Sequence, residues 1–269
     1  MGIKFLVCFD SDGTAIDSMT IKHVRCFGPI AVEIFGMQEY KDELLELWNN
    51  YNLYEKTRGI NRFKGLKKFL IEASKKNSNL DITEYLNWCD NTTAFSNSSV
   101  EKAYKETNDD VLKKALEWSI LVNENIKKIP KEDIIAFPKV KETLENIKDK
   151  VDIAIVSSAN REAIDDEWQR EGLLQYVKEV LDQTFGTKEM MLEKLAKEYD
   201  KDKIIMLGDS LFDMKAAKEV GVLFYPVIVN KELESFEEFN DKVFDKFLSG
   251  DYLGDLEQSY ISKFEEALK

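Results

Sequence analysis

The chain has 269 residues, of which 43% are hydrophobic and 33% are charged, and its formal net charge is −13. These values are typical of a soluble globular protein with one large domain or two smaller ones, and they exclude a disordered chain. The acidic excess disfavours a broad nucleic-acid interface, which needs a basic face. We therefore expect no nucleic-acid partner.

The opening apolar run, residues 3–9, stops abruptly at Asp10. It is too short for a membrane span, or for the apolar part of a signal peptide with its cleavage site. The three cysteines show no metal-binding spacing, and their odd number argues against a disulfide framework. We expect a cytoplasmic protein with reduced thiols and no membrane partner; a monomer and a homodimer both remain open.

Continuous apolar runs predict strands that are buried on both faces. The strong runs are Phe5–Phe9, Ile153–Val156, Ile204–Leu207 and Val222–Tyr225, with a weaker one at Val180–Leu181. Helical patterns lie between the later runs at Arg161–Trp168, Lys188–Lys197 and Phe212–Lys218. Strands that alternate with helices indicate an α/β fold with a parallel sheet, in which ligands bind at the carboxyl ends of the strands.

The chain between the first and second strands has helical patterns and almost no strand signal. One amphipathic stripe consists of Val111, Leu112, Ala115, Leu116, Ile120 and Leu121. We predict an all-α domain over residues 19–134, inserted into an α/β core formed by residues 1–18 and 135–269. The four tryptophans fall in helical patterns and are expected to pack in the core. The acidic helices after Asn230 either cover a sheet edge or mediate association.

Pairs of acids follow two of the predicted strands. The four residues are Asp10, Asp12, Asp209 and Asp213. Bringing four carboxylates together costs a great deal of free energy unless a cation binds among them. Hard oxygen ligands in modest number indicate Mg²⁺. The sequence therefore predicts a magnesium site, with one acid left over to act as a nucleophile.

Asp10 is the candidate nucleophile because it stands at the strand end, where a carboxylate can attack phosphorus in line and form an aspartyl phosphate. The alternative for Asp10 is a helix or turn cap. Asp12 can protonate the leaving oxygen and later deprotonate the attacking water. Gly13 permits the tight turn by which the chain must leave the strand end after these acids.

The order of these motifs resembles the haloacid dehalogenase superfamily. The residues that carry the resemblance are Asp10-Ser11-Asp12-Gly13-Thr14, then Ser157, then Lys188, and then Gly208-Asp209-Ser210-Leu211-Phe212-Asp213. The resemblance covers residues 1–18 and about 135–229. It implies a Rossmann-like core with a parallel sheet, and it makes the inserted helical domain the cap that members carry after the first strand.

The resemblance also implies roles for individual residues. Asp12 is the acid–base residue and places its backbone carbonyl on the metal, Ser157 donates to the transferring phosphoryl group, and Lys188 balances its charge. Asp209 holds Mg²⁺ directly, and Asp213 holds it directly or through water. Phosphatases of the superfamily have Asp at the position of Asp12 and the dehalogenases do not, which argues against carbon–halogen cleavage.

Three of these assignments have alternatives. Asp209 and Asp213 flank a predicted helix start that Ser210 could cap and where the helix dipole favours an acid, so a capping role is the alternative to metal binding for this pair. The amides of Ser158 and Ala159 are predicted to begin a helix, where anions bind well, so Ser158 is a candidate substrate-binding residue. A plain helix cap by Ser157 or Ser158 is the alternative. Glu189 replaces the proline that usually follows the lysine, which leaves Lys178 as a less favoured substitute for Lys188.

The predicted cap contains a basic segment punctuated by glycine, Lys56–Gly65. It resembles the substrate-specificity loop of the superfamily, and it makes Arg58 and Arg62 candidate substrate contacts, since arginine can grip an anion with two hydrogen bonds. The alternative is a basic helix start on the surface. His23 is either functional or a structural imidazole; it lies six residues after Asp17, one more than the superfamily pattern.

These observations predict a Mg²⁺-dependent phosphatase that acts on a small phosphorylated metabolite. A sugar phosphomutase remains open, because the basic segment also resembles the loop of that branch. A phosphonate hydrolase is less favoured, since no Schiff-base lysine can be placed. A non-enzymatic phospho-accepting or scaffold module belongs to a different class, and the large cap argues against it because caps exclude water and select small substrates.

Overall fold

The computed structural model describes residues 4–268, so Ile3, at the start of the opening run, and Lys269, at the end of the predicted core, lie outside the described residues. The chain forms two compact units. One unit contains the residues up to Met19 together with those from Lys131 onward, and the other is Thr20–Pro130.

The first unit is built on a parallel sheet, which confirms the predicted α/β fold. Within the described residues its strands are β1 (Leu6–Phe9), β2 (Asp152–Val156), β3 (Glu179–Leu181), β4 (Ile204–Gly208) and β5 (Leu223–Pro226). They lie side by side in the order β3-β2-β1-β4-β5, and every pair is parallel. All five predicted runs contain a strand. The ends of β4 and β5 lie one residue later than predicted because Gly208 pairs with Pro226.

The helices are α1 (Met19–Lys22), α2 (Gly28–Ile34), α3 (Lys41–Asn49), α4 (Arg62–Lys76), α5 (Thr83–Asn91), α6 (Asn97–Thr107), α7 (Asp110–Ile126), α8 (Val140–Ile147), α9 (Arg161–Arg170), α10 (Lys188–Leu195), α11 (Leu211–Val220), α12 (Glu232–Glu238), α13 (Phe244–Ser249) and α14 (Asp255–Ala267). Short π-helical turns occur at His23–Phe27, Asn50–Tyr54 and Phe239–Val243. Among residues 4–268, no helix combines the length and the apolar character that a membrane span requires.

The register of the central strands decides where the functional residues emerge. Phe9 lies opposite Ile155 of β2 and Leu207 of β4. Because parallel strands run in the same direction, the residues after β1, β2 and β4 emerge at one edge of the sheet. The amide of Asp10 donates to the carbonyl of Leu207 at 3.0 Å, which extends the pairing by one residue.

The acidic C-terminal helices cover the β5 edge of the sheet. Helix α14 packs on β5. The Glu257 carboxylate accepts from the amide of Phe224 at 2.8 Å, and the Tyr252 hydroxyl donates to the carbonyl of the same residue at 2.8 Å. These side chains satisfy backbone groups that an open edge would offer to another chain. Covering the edge is the first of the two roles that the sequence of these helices left open.

The named elements of the second unit are all helices within the described residues, and α7 contacts α2, α4, α5 and α6. The side chain of Asp109 caps α7 by accepting from the amide of Leu112 at 2.8 Å. The buried face of α7 consists of Val111, Leu112, Ala115, Trp118, Ser119 and Val122. The predicted stripe was wrong at Ile120 and Leu121, which are 43% and 37% exposed. A period of 3.6 residues turns these two positions away from the face that carries Trp118 and Val122.

Tryptophans form the core of the helical unit, as expected. Trp48 and Trp118 are fully buried and pack edge to face, with ring centroids 5.9 Å apart. The indole of Trp118 donates to the carbonyl of Phe27 at 3.0 Å, and that of Trp48 donates to Nδ1 of His23 at 3.1 Å. His23 also stacks on Phe27. These contacts give His23 a structural role.

We expect Glu257→Gln to raise Tm at pH 7 by about 1–2 °C. Burial raises the pKa of Glu257 above its ordinary value of 4.5. A carboxyl with a raised pKa favours folding while it is protonated, and that contribution is lost as pH rises through the folded-state pKa. Glutamine keeps an oxygen that can accept from Phe224 and carries no charge. Thermal unfolding of both proteins from pH 7 down to below pH 4.5 measures the difference, which should vanish in acid.

Glu265→Gln is the matched control, because Glu265 lies on the same helix but is exposed. Its Tm should stay close to that of the parent at every pH. A Glu257→Gln protein that is less stable than the parent at pH 7 would contradict the argument.

Candidate active site

The loop after β1 is held in shape by its own backbone. The carbonyl of Ser11 accepts from the amides of Thr14, Ala15 and Ile16, at 3.3, 3.0 and 2.9 Å. Gly13 has a φ of 81°, a left-handed conformation that glycine adopts without steric cost. The tight turn of the backbone that we predicted after the acids is therefore present at Gly13. The turn leaves Asp10 at the carboxyl end of the central strand, where it is 7% exposed.

The loop after β4 holds the second pair of acids. Ser210 caps α11, and its hydroxyl accepts from the amide of Asp213 at 3.2 Å while the Asp213 carboxylate accepts from the amide of Ser210 at 3.1 Å. This reciprocal capping box fixes one oxygen of Asp213. The hydroxyl of Thr14 donates to Asp209 at 2.7 Å and so joins the two acidic loops.

Lys188 connects the acids of the two loops. It is the first residue of α10, whose cap is the side chain of Thr187. Its Nζ lies 2.9 Å from Oδ2 of Asp10 and also pairs with Oδ1 of Asp213. Glu189, which replaces the usual proline, does not displace it. Lys178 instead pairs with Asp152, which begins β2 and therefore lies at the amino ends of the strands, away from the acids.

The buried acids around Lys188 favour a cation. Ligand oxygens of Asp10, Asp209 and Asp213 all lie within 4.8 Å of one another, and all three residues are buried. Burial raises the pKa of Asp10, Lys188 lowers it, and Asp213 and Asp209 raise it further, with a net upward shift. Burial would lower the pKa of Lys188, but Asp10 and Asp213 outweigh it and raise that pKa. One ammonium cannot neutralise three carboxylates, and oxygen donors at this spacing fit Mg²⁺.

Asp12 stands apart from this group of three acids. Its side chain is half-buried and accepts a hydrogen bond from the hydroxyl of Ser18. Asp12 is therefore held next to Asp10 in the chain, while its carboxylate is not one of the three whose oxygens come together. The predicted acid–base role and the predicted metal contact through its backbone carbonyl are both compatible with this position.

The loop after β2 differs from the prediction. Helix α9 begins at Arg161 and is capped by Asn160, whose side chain accepts from the amide of Ala163 at 2.9 Å. The expectation that the amides of Ser158 and Ala159 begin a helix was therefore wrong, as was a helix cap by either serine. The Ser157 hydroxyl instead accepts from the amide of Ala159 at 3.2 Å and stays buried, whereas Ser158 is exposed.

The two candidate arginines lie in the helical unit. Arg58 is 1% exposed and donates to the carbonyl of Leu53 at 2.7 Å, so a solvated surface position is excluded for it. Arg62 begins α4, donates to Asn123 at 2.8 Å and lies over the ring of Phe27. Burial lowers the pKa of Arg62 to about 10. Substrate contact by either arginine stays a prediction.

Comparison with known proteins assigns the family. A family model described as haloacid dehalogenase-like hydrolase matches residues 85–227, just over half of the chain. The chain belongs to this hydrolase family. The match includes Ser157, Lys188, Asp209 and Asp213, whereas Asp10 precedes it. A search of curated proteins returned no match to the sequence.

Solved structures share the fold of this haloacid dehalogenase-like hydrolase. The family member SP0104 from Streptococcus pneumoniae has 13% identity and a TM-score of 0.54, over 87% of this chain and 91% of that chain. A family hydrolase from Xanthomonas campestris has 13% identity and a TM-score of 0.53, over 94% and 95%. A candidate phosphatase from Clostridium difficile has 18% identity and a TM-score of 0.50, over 84% and 86%. At these identities the similarity concerns the fold.

Several residues that shape the site of this hydrolase were not predicted to do so. Thr14 and Ser18 lie in the loop that follows Asp10. The closeness of their hydroxyl groups to acids in the sequence could have predicted that they hold those acids. Trp168, expected only to pack, donates to the hydroxyl of Ser11 at 2.9 Å. These two residues are 157 positions apart, and no local pattern joins them.

Gly208 provides the space that Asp213 occupies. A Cβ placed on Gly208 would lie 2.6 Å from Cγ and 2.8 Å from Oδ2 of Asp213, as well as clashing with its Cβ. Any larger residue at the end of β4 must therefore displace the carboxylate that pairs with Lys188.

We expect Gly208→Ala to lower the free energy of unfolding by about 1–3 kcal/mol, because overpacking displaces buried groups. It should also weaken Mg²⁺ binding. Urea unfolding and a Mg²⁺ titration measure the two effects. Gly36→Ala is the control, since Gly36 has a φ of 66° but no heavy atom within 4 Å of an added Cβ; it should lose some stability and keep its Mg²⁺ affinity. Normal Mg²⁺ affinity in folded Gly208→Ala would refute the steric argument.

Proposed function

We propose that this haloacid dehalogenase-like hydrolase is a Mg²⁺-dependent phosphatase that cleaves a small phosphomonoester through an aspartyl phosphate on Asp10. The observation that carries the proposal is the position of Lys188. Its ammonium lies between Asp10 and Asp213, in a group of buried carboxylates that also contains Asp209. A carboxylate at a strand end, oriented by a cation, has the arrangement that nucleophilic attack on phosphorus requires.

In the first step, Asp10 attacks the phosphorus and the bond to the leaving oxygen breaks. Lys188 holds Oδ2 of Asp10 and balances part of the negative charge that gathers there. Asp12, in its carboxylic acid form, gives its proton to the leaving oxygen so that an alcohol departs. The hydroxyl of Ser18 contacts the Asp12 side chain and limits its rotation.

In the second step, water attacks the phosphorus of the aspartyl phosphate. The Asp12 carboxylate takes the proton of the water, phosphate leaves, and the Asp10 carboxylate is restored. Each group then has the protonation state with which the cycle began, so no further reactant is needed. A single acid–base residue serves both steps because the alcohol leaves from the side at which the water enters.

The acids around Lys188 are the proposed metal ligands. Asp10, Asp209 and Asp213 would hold Mg²⁺, together with the backbone carbonyl of Asp12. When bound, Mg²⁺ would neutralise carboxylate charge and polarise the phosphoryl oxygens. Asp213 already pairs with Lys188, and Thr14 fixes one oxygen of Asp209. We therefore propose that Asp209 contacts the metal most directly.

The remaining candidates are assigned to the substrate. We propose that Ser157 donates to the phosphoryl group, that Ser158 lines the same loop, and that Arg58 and Arg62 select the leaving group. The Clostridium difficile protein of similar fold is described as a candidate phosphatase, which agrees with this class of reaction. A small phosphorylated metabolite is the proposed substrate.

We expect Asp10→Asn to lose turnover by about 1000-fold or more, because an amide is not a nucleophile here. Since burial raises the pKa of Asp10, removal of its charge should not lower Tm. Phosphate release from a panel of phosphomonoesters with Mg²⁺ measures turnover, and analysis of the organic products separates hydrolysis from phosphomutase activity. Asp152→Asn, at the opposite edge of the sheet, is the matched control and should stay active. Full activity in Asp10→Asn would end the proposal.

We expect Mg²⁺ to raise the stability of the parent protein by about 2.7 kcal/mol at a hundredfold excess over Kd, because it binds the folded state. Asp209→Asn should lose most of that response. Asp200→Asn, a change at an exposed acid of the same unit, should keep it. Thermal unfolding with and without Mg²⁺ gives the comparison without any substrate. An equal Mg²⁺ response in Asp209→Asn and the parent would exclude this metal site.

A further inference from the structure

A buried hydrogen bond joins Trp168 to the loop of the nucleophile. The indole Nε1 of Trp168 donates to the hydroxyl oxygen of Ser11 at 2.9 Å, and both side chains are fully buried. Ser11 lies between Asp10 and Asp12 in the chain. Trp168 lies near the end of α9, the helix that follows the Ser157 loop. The bond therefore links α9, the helix that follows the predicted phosphate-binding loop of Ser157, to the loop that carries Asp10.

Ser11 in turn controls the geometry of its neighbour. Its amide donates to Oδ1 of Asp10 at 2.8 Å, and its carbonyl accepts from three amides of the loop. Oδ2 of Asp10 pairs with Lys188. Each oxygen of Asp10 thus has its own partner: the amide of Ser11 holds Oδ1 and the ammonium of Lys188 holds Oδ2. Rotation of the Ser11 backbone would release one of these two restraints.

Trp168 is well placed to prevent that rotation. Its ring packs edge to face on Phe9, the last residue of β1, with centroids 6.4 Å apart. The ring and its N–H therefore contact the residues on both sides of Asp10. A purely apolar side chain would fill the same space but would leave the Ser11 hydroxyl without this donor.

We propose that Trp168 is a positioning residue, which holds Ser11 so that the Asp10 carboxylate keeps its orientation for attack on phosphorus. The inference rests on the proposed function of Asp10. It concerns kcat rather than substrate affinity, because Trp168 contacts the loop of the nucleophile and not the reacting groups. Small displacements of a reacting group cost rate even where binding is retained.

The test compares Trp168→Phe, Ser11→Ala and the double variant. Phenylalanine keeps an aromatic ring and removes the N–H. We expect Trp168→Phe to lower kcat about 3- to 10-fold, the range that loss of one buried hydrogen bond gives, with KM within about twofold. Ser11→Ala should have a similar effect. Because both changes break the same bond, the double variant should be no slower than the slower single variant.

Tyr252→Phe is the matched control. It removes one buried hydrogen bond, from an aromatic side chain to the carbonyl of Phe224, in the same unit but at the β5 edge. It should leave kcat unchanged and lower Tm less than Trp168→Phe does, because Trp168→Phe also leaves a cavity where part of a fully buried ring system was. A purely structural role for Trp168 predicts an unchanged kcat in both folded variants, so that result for Trp168→Phe would overturn the inference. Independent, multiplying effects of Trp168→Phe and Ser11→Ala would also overturn it.

Beryllofluoride with Mg²⁺ provides a measurement that does not need the natural substrate, because it mimics a phosphoryl group on an aspartate. Trp168→Phe should weaken its binding about 3- to 10-fold, and Tyr252→Phe should not. If the parent protein neither binds beryllofluoride nor releases phosphate, the proposed function fails and this inference with it. If the parent does either and Trp168→Phe matches it, only the inference fails.

Discussion

The free energy of burying three carboxylates together governs the design of this site. Asp10, Asp209 and Asp213 have oxygens within 4.8 Å of one another, and Lys188 supplies one positive charge among them. Burial makes the largest contribution to the raised pKa of Asp10, and the nearby Asp213 and Asp209 raise this pKa further. A cation bound among the three acids would relieve their repulsion, so the electrostatics of the free protein favour the metal site that we propose.

The backbone around the acids keeps them from moving apart to relieve this repulsion. The capping box of Ser210 fixes Asp213, the hydroxyl of Thr14 joins the β1 loop to Asp209, and Gly208 leaves no spare volume beside Asp213. Parallel strands bring all these loops to the same edge of the sheet, so short loops suffice. Acids at rigid strand ends can stay close together despite their mutual repulsion, whereas acids on mobile loops would move apart.

The sequence predicted those parts of the structure that depend on local patterns. Apolar runs located all five strands, and their shared carboxyl edge brought Lys188 to acids of two distant segments. The loop after β2 was predicted wrongly, because Ser157, Ser158 and Asn160 can all cap a helix and tertiary packing chooses among them. The bond from Trp168 to Ser11 was not predictable, since its partners are 157 positions apart and the patterns that contain them do not indicate a contact between them.

The two units differ in how far their sequences determine function. The α/β unit concentrates polar side chains at one sheet edge, where few arrangements of buried charge are stable, so residue type and order define the chemistry. The helical unit is held by aromatic packing around Trp48 and Trp118, and its arginines are engaged with its own groups. Many sequences satisfy such packing equally well. The sequence therefore indicates the chemistry of the site more clearly than it indicates the substrate, because buried charge restricts sequence more tightly than apolar packing does.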